Sequence, residues 1–81
     1  MSGEIIKSFA APGPGAEGLC FDGKYLWHSD LSNDRIYQLG VNGVVIKSFA
    51  SPGAVPRGIA INGKYLWNCD SGSDRIYQLA L

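Results

Sequence analysis

An all-β fold made of repeated four-stranded sheets is what this 81-residue sequence predicts, and three observations carry the prediction. One 40-residue unit is written twice: residues 1–40 and 41–80 align without a gap, and 21 of the 40 paired positions are identical. Each unit holds four runs of β-branched and aromatic residues, about five to seven long, divided by glycine, proline, asparagine or aspartate. Within those runs Tyr25-Leu26-Trp27, Ile36-Tyr37 and Val44-Val45-Ile46 put bulk on successive positions, hence on both sides of a sheet. A sheet of about four strands with this period, packed on both faces, is the blade of a β-propeller. A β-helix has a shorter coil, and a leucine-rich repeat would show its Leu/Asn ladder.

In the first unit the predicted strands are Glu4–Ala10, Glu17–Phe21, Tyr25–Ser29 and Arg35–Gly40. In the second they are Val44–Ala50, Arg57–Ile61, Tyr65–Cys69 and Arg75–Leu81. Pro12-Gly13-Pro14-Gly15 marks a loop. Asp22-Gly23 and Asn62-Gly63 predict two-residue type I′ hairpin turns, in which both central residues need positive φ. The chain therefore divides into two blades, 1–40 and 41–81, of a single unit spanning 1–81.

A domain this short has a core worth only a few kcal/mol and needs a supplement. Cys20 aligns with Ala60 and Cys69 with Ser29, so neither cysteine belongs to the repeated framework and both are expected to be free thiols. Apolar residues make up 46% of the chain and net charge is zero, which points to burial against other copies of the chain. Seven basic residues are matched by seven acidic ones spread along the sequence, unlike the basic stripe of a nucleic-acid binder. No apolar run approaches a membrane span, and Met1-Ser2-Gly3-Glu4 has neither the charged region nor the apolar core of a signal peptide. A soluble protein without nucleic-acid or membrane partners is expected, its compartment unspecified.

Pro56-Arg57-Gly58-Ile59-Ala60-Ile61, then Gly63-Lys64-Tyr65-Leu66-Trp67, then Asp70-Ser71-Gly72-Ser73-Asp74-Arg75-Ile76 resemble the NHL repeat of six-bladed propellers. That family's pattern is a proline-glycine start, an apolar strand, a glycine turn, an aromatic strand and Asp-Ser-Gly-Asn-x-Arg-Ile. The resemblance covers both units, although Ala16 and Glu17 stand in the first where the pattern has Pro and Arg. It implies fold more than function, because the shared residues are the ones that build a blade. A similarity to propeller enzymes such as glutaminyl cyclotransferases is confined to the Tyr-Leu-Trp strand.

The resemblance implies that the strand after the proline-glycine start is innermost. Residues 4–10 are then an outermost strand preceding the first blade, and the last blade lacks its own outer strand. The N-terminal strand of some chain is expected to supply it as the closure strand. Two blades cannot close a ring, and an open pair would expose apolar faces and strand edges. A homo-oligomeric ring is expected, three chains giving six blades, with four chains and eight blades as the runner-up and a four-bladed dimer after that. The regular period and the Met-Ser-Gly start fit a piece excised from, or engineered on, a longer propeller. A natural short repeat protein is the other possibility, and the 19 differences in 40 positions argue against a purely symmetric design.

Trp27, Trp67, Tyr37, Tyr77, Ile36, Ile76, Phe9 and Phe49 are the expected inter-blade core, since they recur in register. Asp30 and Asp70 end the third strand of each unit. They either ligate a cation through oxygens or accept backbone N–H bonds in a turn, and the spacing fits no calcium loop. Arg35 and Arg75 are expected to pair with a nearby Asp. His28, whose counterpart is Asn68, is the one candidate for a metal or anion site on the ring axis. His28 and Ser29 point to opposite faces of a strand, so no nucleophile-base pair forms there. No catalytic residue, cofactor or firm metal ligand is expected. The predicted activity is self-assembly, with a ligand- or peptide-binding module as the alternative class, an enzyme third, and any external ligand unspecified.

Overall fold

A computed structural model describes residues 3–81 as two antiparallel sheets, with no helix among those residues. Sheet A has the order β1 (Ala16–Phe21), β2 (Leu26–Asp30), β3 (Arg35–Leu39) and β4 (Val45–Ala50). Sheet B has the order β5 (Pro56–Asn62), β6 (Tyr65–Asp70) and β7 (Arg75–Ala80). The sheets do not follow the boundary of the sequence repeat. Strand β4 belongs to the second unit in sequence, yet it is an edge strand of the first sheet, beside β3.

Seven of the eight expected strands form, each within a residue of its expected ends. The eighth, Glu4–Ala10, forms no ladder and is exposed throughout. Its counterpart β4 shows what it lacks: Ile46-Lys47-Ser48-Phe49-Ala50 is identical to Ile6-Lys7-Ser8-Phe9-Ala10 and is a strand because β3 lies beside it. A single added strand has no hydrogen-bonded stability of its own without a neighbouring edge.

The hairpin turns differ from expectation. Phe21 pairs with Leu26 while the Asp22 N–H donates to the Tyr25 carbonyl, so the central residues are Gly23 and Lys24 rather than Asp22 and Gly23. Asn62 pairs with Tyr65, which makes Gly63 and Lys64 central in the second hairpin. Only Gly23 (φ 103°) and Gly63 (φ 61°) have positive φ there, and glycine in the first central position is the type II′ choice. Asp22 sits one place earlier and acts through its side chain, which accepts the N–H groups of Lys24 and Tyr25 at 2.8 and 2.7 Å. Asp34 and Asp74, both at φ 55°, close the turns into β3 and β7 in the left-handed region that aspartate tolerates.

The sheets stack through β1 and β2 on β5. Strand alternation puts Cys20, Trp27, Ser29 and Ile36 on the side of sheet A that faces sheet B, and Ile59, Ile61, Leu66, Asn68 and Leu79 on the side of sheet B that faces sheet A. Trp27, Ile36 and Leu66 form the buried cluster, with Cys20, Phe49, Ile59, Ile61 and Leu79 against it. Gly18 permits the close approach, since a Cβ there would meet the Arg57 carbonyl and the Ile59 side chain. Ser29 Oγ accepts the Gly18 N–H at 3.0 Å and donates to the Arg57 carbonyl at 2.7 Å, tying the sheets at the same point.

Leu66 is fully buried between the sheets. Replacing it with alanine should cost about 2–5 kcal/mol, which is comparable with the whole stability of a small domain. Far-UV circular dichroism of Leu66→Ala in a urea titration should show no stable folded baseline.

Candidate functional site: the two uncovered sheet faces

Identical sequence has unequal surroundings in the two sheets. Arg35-Ile36-Tyr37-Gln38-Leu39 and Arg75-Ile76-Tyr77-Gln78-Leu79 are the same pentapeptide, yet Ile36 is 0% exposed and Ile76 is 73% exposed. Trp27 is 2% exposed and Trp67 is 37%. The cause is the stacking order: the side of sheet A carrying Trp27 and Ile36 is covered by sheet B, whereas the matching side of sheet B is open. Of the expected inter-blade residues, Trp27, Ile36 and Tyr37 are buried and Phe49 and Tyr77 partly so, while Trp67, Ile76 and Phe9 lie on open surface.

Each open side carries a hollow. On sheet A, a hollow of about 240 Å³ is bordered by Phe9, Glu17, Leu19, Leu26, His28 and Leu39. On sheet B, one of about 180 Å³ is bordered by Gly58, Ala60, Trp67, Cys69 and Ile76, with Ile59 and Asn68 at its rim. Counterparts of both sets are already in contact inside the chain. Leu19, Leu26, His28 and Leu39 match Ile59, Leu66, Asn68 and Leu79, while Gly58, Ala60, Trp67, Cys69 and Ile76 match Gly18, Cys20, Trp27, Ser29 and Ile36. The two hollows are therefore the two halves of the contact that joins sheet A to sheet B.

The polar groups repeat in the same way. His28 Nδ1 lies 2.9 Å from the Gly18 carbonyl, which can only accept, so Nδ1 carries the proton. Asn68 Nδ2 donates to the Gly58 carbonyl at 3.0 Å, the matching bond in sheet B. His28 Nε2, Asn68 Oδ1 and Asp30 Oδ2 are buried without a partner among the described residues. His28 stacks on Tyr37 across the ladder at 6.2 Å, on the side of the sheet opposite Ser29. No group of three or more His, Cys, Asp or Glu side chains that could hold a metal occurs among the described residues.

Asp30 and Asp70 behave as turn acceptors. Asp30 Oδ1 takes the N–H groups of Ser32 and Asn33 at 2.9 and 3.1 Å. Asp70 takes the Val55 N–H on one oxygen, and the Ser73 N–H and O–H on the other. Burial pushes the Asp70 carboxyl up, but those donors outweigh it and hold the group below the usual carboxylate range. Arg35 does not pair with an aspartate; its Nε donates to Ser48 Oγ on β4 at 3.0 Å.

Two links were missed in the sequence. Trp27 Nε1 donates to Asp22 Oδ2 at 2.8 Å, and with the Tyr25 and Lys24 N–H groups this lowers the Asp22 pKa. Asn62 in the second unit cannot repeat the charge. Arg57 Nη1 contacts Glu17 Oε1 at 2.9 Å, an ion pair between the second residues of β1 and β5. Glu17 and Arg57 occupy the same place in the repeat with opposite charge, a signal present in the alignment. Both cysteines are free, Cys69 on the open side of sheet B and Cys20 on the facing side of sheet A. Burial, and then the neighbouring Asp22 charge, raise the Cys20 thiol pKa and keep it in the unreactive protonated form.

The lowered aspartate values fix a pH dependence. Asp22 and Asp70 are stronger acids folded than unfolded, so the stability they contribute is present above the unfolded value and lost as pH falls through the folded one. Thermal unfolding should be level near neutrality and drop below about pH 4. Asp22→Asn, which keeps an acceptor for Trp27, should make that drop shallower.

Comparison of the chain with family models, with curated proteins and with solved structures finds no match, and the NHL resemblance rests on the quoted residues of the two repeats.

Proposed function

We propose that this chain is a self-assembling two-blade propeller unit whose activity is to form a closed head-to-tail ring with copies of itself. One observation carries the reading: the contact between sheets A and B has both its halves repeated on the two outer sides, open on sheet B and part-covered by the segment around Phe9 and Pro12 on sheet A. Setting the Trp67 and Ile76 side of one copy on the Leu19, Leu26 and Leu39 side of the next reproduces the internal contact with like residues. Each copy has one of each side, so the contact is heterologous and propagates until it closes.

The edge strands support the same arrangement. The ladder of β3 with β4 pairs Arg35 with Ala50, Ile36 with Phe49, Tyr37 with Ser48 and Gln38 with Lys47. Every one of those eight residues has an identical counterpart, in 75–78 on one side and 7–10 on the other. Strand β7 has a free edge, and the N-terminal segment of a neighbouring copy carries the sequence that completes it. Arg75 would meet Ser8 as Arg35 meets Ser48.

The NHL resemblance sets the ring at three chains and six blades, with four chains and eight blades next. A ligand- or peptide-binding module is the second reading, and the unpartnered His28 Nε2 at the hollow on sheet A favours it. No catalytic step is proposed, since Ser29 is committed to Gly18 and Arg57 and faces away from His28.

Native mass spectrometry at micromolar concentration should give a trimer, and a monodisperse folded monomer would refute the reading. Trp67→Ala should abolish the ring, because the substitution empties every interface at a cost of about 3–5 kcal/mol each. If Trp67→Ala instead assembles like the parent while a bound peptide or small molecule is lost, the binding-module reading replaces it. Deleting residues 1–11 should leave chains that aggregate or stay monomeric. Cys69, open in the monomer, should resist a thiol reagent in the ring and react when dilution dissociates it.

A further inference from the structure

We propose that Glu17 and Arg57 form an acid-base alternation around the ring axis that orients each copy of this chain head to tail on the next. The inference rests on the self-assembly reading and names what gives that contact its direction. Glu17 is the second residue of β1 and Arg57 the second residue of β5, the strands through which the sheets meet, and their side chains join across the sheet contact at 2.9 Å. Both sit at an irregularity of the ladder: the register shifts between Ala16 and Gly18, and between Pro56 and Ile59. A bulge turns the side chain of an inner strand out of the regular alternation. Here it leaves position 17 and position 57 free to reach the adjacent sheet.

The repeat then dictates the next contact. Inside the chain, Arg57 of sheet B reaches Glu17 of sheet A. Where sheet B meets sheet A of a second copy, the roles are exchanged, and the second copy's glutamate at position 17 reaches Arg57 of the first. Blades alternate A, B, A, B around any ring of whole chains, so every neighbouring pair at this level is opposite in sign. Two-fold packings lack that match. Sheet A on sheet A would set Glu17 against Glu17, and sheet B on sheet B would set Arg57 against Arg57, so the wrong pairings carry like charges together. Arg57 is also braced by Ser71, to which its Nε donates at 3.1 Å. Leu31 holds the matching place in the first unit, so the brace exists only on the arginine side. Each Arg57 is thereby held between two carboxylates, and each Glu17 between two guanidinium groups.

A charge exchange tests this in the full chain. Glu17→Arg and Arg57→Glu should each raise the midpoint concentration of assembly by about tenfold or more, since either one sets like charges across every contact. The double variant E17R/R57E should assemble as the parent does. Mixed with the parent at equal concentration, it should form rings of its own kind only, because a mixed contact sets Glu17 against the glutamate placed at position 57. Native mass spectrometry of an isotope-labelled mixture reads the outcome directly. Free exchange of parent and double variant into mixed rings would overturn the inference while leaving the self-assembly reading intact. A parent that is monomeric would overturn both. The neutral variant E17Q/R57Q separates charge from folding: its assembly should be weaker than the parent's and insensitive to added salt, and assembly as tight as the parent's would also overturn the inference.

Discussion

A sheet that is apolar on both sides has to be covered on both sides, and this requirement governs nearly everything else in the molecule. In sheet A it is largely met, by sheet B on one side and in part by the segment around Phe9 and Pro12 on the other. In sheet B it is met on one side only. The strand β6 reads as strict alternation of exposed and buried, whereas β2, with nearly the same residues, is buried on successive positions. Burial here is a property of the neighbour and not of the sequence, since the Ile-Tyr-Gln-Leu run is the same in β3 and β7. The free energy held back by Trp67 and Ile76 becomes available only when a further layer is added.

Strand existence was legible in the sequence because β-branched runs and turn residues recur in register, which made each unit a check on the other. The strand order was legible too. The first strand of the second unit, β4, lies beside β3 at the edge of sheet A, so the second unit's own sheet keeps three strands. Turn type was not: Asp22-Gly23 and Asn62-Gly63 have the composition of a type I′ turn, but the register of Phe21 with Leu26 and of Asn62 with Tyr65 moves the turn one residue along. Register depends on cross-strand packing, and a dipeptide does not encode it. The surroundings of Arg35 escaped for a similar reason. A guanidinium near two aspartates suggests an ion pair, yet Asp30 turns one oxygen to the backbone N–H groups of its own turn, and Arg35 Nε donates instead to Ser48 on the next strand.

Most of the 19 differences between the two units lie in the N-terminal segment and the loops, and a few fall on strand residues at or beside the sheet-to-sheet contact. Ser29 becomes Cys69, His28 becomes Asn68, Cys20 becomes Ala60 and Glu17 becomes Arg57, while the Tyr-Leu-Trp and Arg-Ile-Tyr-Gln-Leu strands are unchanged. Conserving the strands keeps each sheet's own geometry. In the ring proposed above, varying the contact residues lets the two kinds of junction, A on B within a chain and B on A between chains, be tuned separately. A chain made of one unit alone would offer identical charges to its neighbours at position 17 and would have to remove them. A chain of two different units can oppose them.

The sheet edges make the same distinction between surfaces to be protected and surfaces to be joined. Edge strands invite uncontrolled pairing unless something blunts them, and a bulge is one such device. The edge strands β1 and β5 each carry a register shift near their first residues, and the edge strand β4 carries one where Gln38 and Leu39 skip to Lys47 and Val45. The pairing of β6 with β7 runs from Tyr65 opposite Ala80 to Asp70 opposite Arg75 without a break. Strand β7 is therefore the one free edge, among the described residues, with a regular ladder behind it. It also carries the residues that already pair with Ile46–Ala50 in sheet A. In the assembly proposed above that regular edge is the acceptor, and the sequence that fits it is the segment at residues 6–10, which pairs with no strand among the described residues of its own chain.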